Sequence, residues 1–279
     1  MKFDMGKAWN QATEMLGRNF GLIATIIGLF YFLPTFAFSI LFPELANPEP
    51  PATPTGADPA DVFRNMSAFV QESWSKTWHV NIAITLLQYV GAIATLALFR
   101  RGTRPTVGEA LGTGLRGMLV YIAAGLLMAL LAGLVIGVPL GLAFAILPAL
   151  GAILLLPAVV AVVYISVKFV LVPAVIAMEG ERNPVAALKR SWRLTKGNSL
   201  RIFIFLFAIA LVAGLIAIVA NIVFSLVFSA MGEPATSIGL AFAGSLTTAL
   251  FGALFLVVIG AIYRQLSAAA QPEEIATFD

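Results

Sequence analysis

Few residues in this chain are equipped for chemistry. There is one His, His79, and no Cys. A single imidazole without thiolates cannot assemble a His- or Cys-based metal centre, and no acid–base or nucleophilic constellation stands at catalytic spacing. The sequence therefore predicts no catalytic, metal-binding or cofactor-binding residues, and the chain reads as non-enzymatic. Lys168 is the exception, because it is the one charge inside a long apolar run. An ionisable group at membrane depth is costly, so it raises the chemistry of an anion contact or a proton relay. Tyr164 shares its helical face one turn earlier. The plainer reading is snorkelling: with a membrane boundary near Pro173, Lys168 lies only about five residues deep and its stem reaches the headgroups.

Gly133, Gly137 and Gly141, together with Pro139 and, in the following run, Pro157, also carry two readings. Broken helices line transport paths. Glycines at this spacing more commonly let helices pack closely.

What positions these residues follows from composition. Of 279 residues, 60% are hydrophobic and 11% charged, with a mean hydropathy of +0.95. A soluble domain carries about a quarter charged residues, so lipid is the solvent here. Uncharged apolar runs predict spans over 20–42, 80–99, 200–230 and 237–264, each of bilayer-crossing length. The run 20–42 is too long for a signal peptide, and Asp4 and Glu14 precede it, so the first span is expected to be retained. The stretch 118–178 is divided by parity. Arg100, Arg101, Arg104 and Arg116 precede it and Arg182, Lys189, Arg190, Arg193 and Lys196 follow it, so both flanks belong to one side and two crossings are required. The turn between them falls near Leu147–Gly151, where Pro148 and Gly151 break helix. Six helices result. Of the 17 Lys and Arg residues, all but Arg64, Lys76 and Lys168 then lie on one side, which the positive-inside rule makes cytoplasmic, with both termini. The net charge of +3 is an orientation signal and an attraction to anionic headgroups. No dense basic face exists for nucleic acid.

Three segments on the basic side look alike: Asp4–Ala12, Thr106–Gly114 and Asn183–Ser191. Each opens on a helix-capping residue, Thr106 with Glu109 as a capping box and Asn183 ahead of a first-turn proline. Ala8, Ala110 and Ala187 come four residues later, then a large apolar residue, then a small one at the next turn: Ala12, Gly114 and Ser191. The pattern predicts an all-α membrane bundle of three repeats, 4–100, 106–178 and 183–264, each an interfacial helix followed by a transmembrane hairpin, with a tail over 265–279. In the third, Val185, Leu188 and Trp192 form an apolar stripe beside Lys189, Arg190, Arg193 and Lys196, as in a helix lying in the membrane interface. Lys189, Arg190, Trp192, Arg193 and Lys196 are the predicted headgroup contacts, and anionic lipid of the cytoplasmic leaflet is the predicted partner. Prolines crowd 43–60, which reads as a disordered external loop. Val62, Phe63, Met66, Phe69, Val70 and Trp74 beyond it predict a short amphipathic helix on the outer leaflet.

Phe169-Val-Leu-Val-Pro173, Glu179-Gly180 and Pro184-Val-Ala-Ala-Leu-Lys-Arg-Ser-Trp-Arg-Leu-Thr-Lys-Gly-Asn198 resemble the membrane domain that precedes some bacterial glycerophosphodiester phosphodiesterases, and related stand-alone six-helix membrane proteins of unassigned function. The resemblance implies a bacterial inner-membrane origin and a helical fold. It implies no catalysis, since the phosphodiesterase half needs His and acidic metal ligands and His79 is alone. The resulting expectation is a lipid- or partner-contacting scaffold, with a role in envelope homeostasis. The competing expectation is a transporter or lipid translocator with a site between the hairpins, Lys168 serving as its anion contact. No residue pattern names a protein partner.

Overall fold

The computed structural model describes residues 2–46, 48–52, 58–100 and 105–275, with backbone alone for Pro59 and 269–275. Arg101, Arg104, residues 47 and 53–57 of the proline-rich loop, and 276–279 of the tail lie outside these. Helices follow one another as α1 (Met5–Ile27), α2 (Leu33–Leu41), α3 (Pro43–Ala46), α4 (Pro59–Ala97), α5 (Val107–Ala132), α6 (Val138–Ile146), α7 (Pro148–Phe169), α8 (Val172–Ala174), α9 (Pro184–Thr195), α10 (Ser199–Ser229) and α11 (Ala235–Ile275). π-helical turns at Gly28–Phe32, Gly133–Gly137 and Val175–Glu179 join some of them into longer rods. Six of these rods are long and apolar enough to cross a membrane: Met5–Leu41, Ala60–Ala97, Val107–Ile146, Pro148–Glu179, Ser199–Ser229 and Ala235–Ala268.

Proline explains two of the wide turns. Pro34 and Pro139 each stand second after a π-helical turn, and widening the helix there relieves the clash of the ring with the preceding carbonyls. Pro157, by contrast, sits inside α7 without ending it. Leu147, in extended conformation, separates α6 from α7, so the division of 118–178 falls where the sequence placed it. Gly151 is needed there because the Phe144 ring lies where its Cβ would be. The Phe228 ring covers Gly239 in the same way across the last pair of spans, and across the first a Cβ at Gly91 would lie 2.6 Å from the Phe30 Cβ.

All three predicted caps form. Asp4 accepts from the Lys7 amide at 2.9 Å, Thr106 and Glu109 make the reciprocal capping box, and Asn183 accepts from the Val185 amide at 2.9 Å. The alanines four residues past the caps, Ala8, Ala110 and Ala187, are all fully buried. One of the three segments nevertheless differs from a separate interfacial helix: 107–132 run straight into the span, with no proline in the stretch and every glycine at helical dihedrals. The first segment ends at Asn19, whose φ of −122° and ψ of 17° leave the helical region and part residues 5–18 from the helix that continues to Ile27. The third, stopped by Gly197 at φ +78°, stands apart as α9.

The outer amphipathic segment also differs. It is the first half of α4, a continuous helix of 39 residues, about 58 Å long against a hydrocarbon core of about 30 Å. Within the proline-rich loop, 43–46 form the helical turn α3. At the other end, α11 continues through most of the tail to Ile275.

Burial is concentrated at the basic end. It gathers the last turns of α4 with the two residues after it (Val90–Phe99), the first of α5, Leu171–Met178, α9 and Leu256–Leu266 of α11. The chain's start is tied in there as well. The Phe3 amide donates to Asn198 Oδ1 at 2.8 Å, Arg201 donates to the Phe3 carbonyl at 3.3 Å, and the Phe3 ring meets Phe205 edge-on. Helix α11 is the hub, packing on α1, α2, α4, α9 and α10.

Candidate functional site

Helix α9 carries most of the candidate residues, and its seating decides which of them face outward. Ala187, Leu188, Ser191, Leu194 and Thr195 are buried, with α5, α7 and α11 as neighbours. Small side chains permit close backbone approach, so the helix settles on Ala187 and Ser191. The Ser191 hydroxyl donates to the Lys168 carbonyl at 2.7 Å. The expected apolar stripe is thereby divided: Leu188 turns into the bundle, while Val185 and Trp192 face out.

Lys168 is 3% exposed and does not snorkel. Its Nζ lies 5.3 Å from the Tyr164 ring centroid and 5.1 Å from that of Trp192. The ammonium is held between two aromatic rings, an arrangement worth up to about 2 kcal/mol when shielded from water. Tyr164 and Lys168 are thus brought together as the sequence suggested, and Trp192 joins them from α9. Trp192 packs on Phe169 too, at 5.6 Å, so the cluster clamps α9 to the end of α7.

Among the predicted headgroup contacts, Lys189, Trp192, Arg193 and Lys196 are exposed. Arg190 is placed differently. Its Nε donates to Glu179 Oε1 at 2.9 Å, and the same oxygen accepts from the Tyr263 hydroxyl at 2.7 Å. The pair is only partly exposed, at 17% for the Arg190 side chain and 29% for Glu179, so it contributes more to position than a surface ion pair does. Lys189, Arg193 and Lys196 follow one another at spacings of four and three and share a face, from which Arg190 is rotated by about 100°. Tyr263 escaped the sequence reading. It lies 84 residues from Glu179, and its only local signal is a polar tip on an otherwise apolar helix end.

Other polar residues of the spans serve local contacts. Asn81 donates to Thr77 within α4 at 2.9 Å, and Asn221 donates to Thr247 at 3.3 Å, linking α10 to α11. A methyl group added at Gly133, Gly137 or Gly141 would meet nothing within 4 Å, so these glycines mediate no close helix contact within the chain. An apolar cavity of about 450 Å³ lies between the hairpins, edged by Tyr89, Tyr121, Phe169, Leu188 and Phe255, and Lys168 does not line it. Two cavities with charged residues in their walls, of about 620 and 280 Å³, open at the basic end, and Arg264 lines both. Among the described residues, no three of His, Cys, Asp and Glu gather as a metal site would require.

Comparison with known proteins adds a family. No curated protein and no solved structure matches the chain. A family model does match residues 76–266, from the middle of α4 to the buried end of α11. That match carries no link to the phosphodiesterase-associated membrane domains resembled by residues 169–198. It spans well over half of the sequence and takes in five of the six membrane-length rods, and on it the chain belongs to the family described as a domain of unknown function, DUF7847.

Proposed function

We propose that this protein is a non-enzymatic scaffold of the bacterial inner membrane, working in envelope homeostasis, with its basic end and both termini at the cytoplasmic leaflet. It contacts anionic headgroups there through the outward face of α9. One observation carries the reading: α9 is locked into the bundle by Ala187, Leu188, Ser191 and Leu194, while Lys189, Arg193 and Lys196 stay exposed beside Val185 and Trp192. The cations are therefore presented from a fixed platform at the level where an aromatic belongs in the interface. Each is worth about 1 kcal/mol against an anionic surface.

Three capped helix starts that each bury an alanine four residues on support a three-unit organisation. A second reading, lipid translocation, draws on the apolar cavity between the hairpins, whose lining suits an acyl chain and not a polar solute.

The test is headgroup selectivity of the full chain in bilayers of phosphatidylcholine with spin-labelled phosphatidylglycerol. Wild type should hold the anionic probe over its choline counterpart. The triple substitution Lys189→Gln, Arg193→Gln, Lys196→Gln should lower that selectivity at least fivefold. Unchanged selectivity refutes the α9 contact, and scrambling of labelled lipid by reconstituted protein would favour the second reading.

A further inference from the structure

The apolar cavity between the hairpins contains two polar groups that its apolar character does not explain. Its wall runs from Pro173 and Leu188 of α9, at the basic end, to Met128 of α5 and Phe255 of α11, deeper in the bundle. On the side of α5 it is bordered by Gly125 and Leu126, both exposed. Among the described residues, none that lines it is charged. Tyr89 of α4 and Tyr121 of α5 do line it, their rings edge to face at 4.8 Å, and neither hydroxyl has a hydrogen-bond partner among the described residues. Ser166, the other hydroxyl of the wall, is already committed to the Val162 carbonyl at 2.8 Å. Tyr89 stands eight residues before the end of α4, about 12 Å along its axis, at a depth where the hydrocarbon core supplies no water. A hydroxyl left unmatched in such surroundings is costly, and a carbonyl oxygen brought into the cavity removes that cost.

We propose that this cavity holds one acyl chain of a membrane glycerolipid, whose ester carbonyl accepts hydrogen bonds from Tyr89 and Tyr121. Small-molecule sites of about 300–1,000 Å³ are built in this way, mostly apolar with a few polar groups that fix orientation, and the cavity's volume of about 450 Å³ falls among them. Met128, Phe169, Leu188 and Phe255 match a hydrocarbon tail, and the two phenols match an acceptor at its head. A free carboxylate would lie there without a cation to pair with, which is costly, so the uncharged ester fits and the fatty acid does not. The exposed border at Gly125 and Leu126 adjoins lipid, so the bilayer itself supplies the ligand. The inference rests on the acyl-chain lining that the translocation reading also uses, but not on transport, since a lipid held at the two phenols need not cross. It is independent of the outward face of α9.

The experiment titrates the full chain in detergent micelles with diacyl phosphatidylcholine in one arm and with its dialkyl ether analogue in the other. The two lipids share chains and headgroup, and the ether lacks the carbonyl. Native mass spectrometry counts the lipids retained. Wild type should retain one ester lipid, with half-saturation at least fivefold below that of the ether. The double substitution Tyr89→Phe, Tyr121→Phe keeps both rings and should raise the ester value to that of the ether. The α9 triple substitution should behave as wild type. Equal half-saturation of ester and ether in wild type overturns the proposal, and that comparison needs no variant. Ester preference that survives removal of both hydroxyls overturns it too, as does preference lost in the α9 variant, which would move the lipid to the other surface. A third arm with palmitate should show no retention that depends on the two hydroxyls; such retention would overturn the ester assignment. Scrambling by the reconstituted protein bears on translocation alone, so the two readings fail separately.

Discussion

The sixth and third spans are both long apolar helices, yet they live in different surroundings. Half of the sixth span's most apolar stretch is buried inside the protein, at a mean hydropathy of 2.3, whereas 6% of the third span's is, at 2.6. The second and fifth repeat the contrast: 44% buried at 1.7 against 11% at 3.2. In water the more apolar segment goes inside. Here lipid is as apolar as leucine, so apolarity gives no reason to be central, and helices associate through small residues, shape and polar contacts. The third span shows both conditions in one rod. At its basic end, Gly114 lies against the Val90 carbonyl and Gly117 against Ile93 and Ile176, while Gly133, Gly137 and Gly141 farther along touch nothing.

The most severe break in this comparison should come from Gly114→Ala. Its new methyl would sit 2.6 Å from the Val90 carbonyl oxygen and 3.2 Å from the Ala94 side chain, and backbone cannot yield as a side-chain tip does. A loss of about 1–3 kcal/mol is expected, read as an earlier midpoint on unfolding in mixed detergent micelles. A midpoint equal to wild type would mean that α4 and α5 are not packed as described. Lys168→Met comes next. It keeps length and apolar volume but removes the ammonium from between Tyr164 and Trp192, and a loss of about 0.5–2 kcal/mol is expected. A stabilised variant would show that desolvating the charge outweighs the ring contacts. The smallest effect belongs to Gly137→Ala, in open surroundings, where the midpoint should stay level or rise by up to about 1 kcal/mol from helix propensity alone. A clear loss would reveal a neighbour on that face.

How much of this was legible in the sequence varies with the range of the interaction. Hydropathy and parity located six spans and the turn at Leu147, since both depend on local composition. Capping chemistry is equally local, and Asp4, Thr106 and Asn183 each cap as their neighbours suggest. The second interfacial segment did not separate from its span, because a cap marks where a helix begins and says nothing of where it ends. Lys168 and Tyr164 pair through helical spacing, while Trp192, 24 residues along the chain, reads as part of another surface. Its place above Lys168 follows from how α9 rolls onto Ala187 and Ser191, which is decided by packing. Glu179, Tyr263 and Arg264 come from distant segments, and no periodicity connects them.

The anchoring of Phe3 has a consequence for how the protein is made. Asn198 and Arg201, which hold its backbone, are translated almost two hundred residues after it. Phe3 therefore docks late relative to its synthesis: its amide and its ring wait until the start of α10 has been translated.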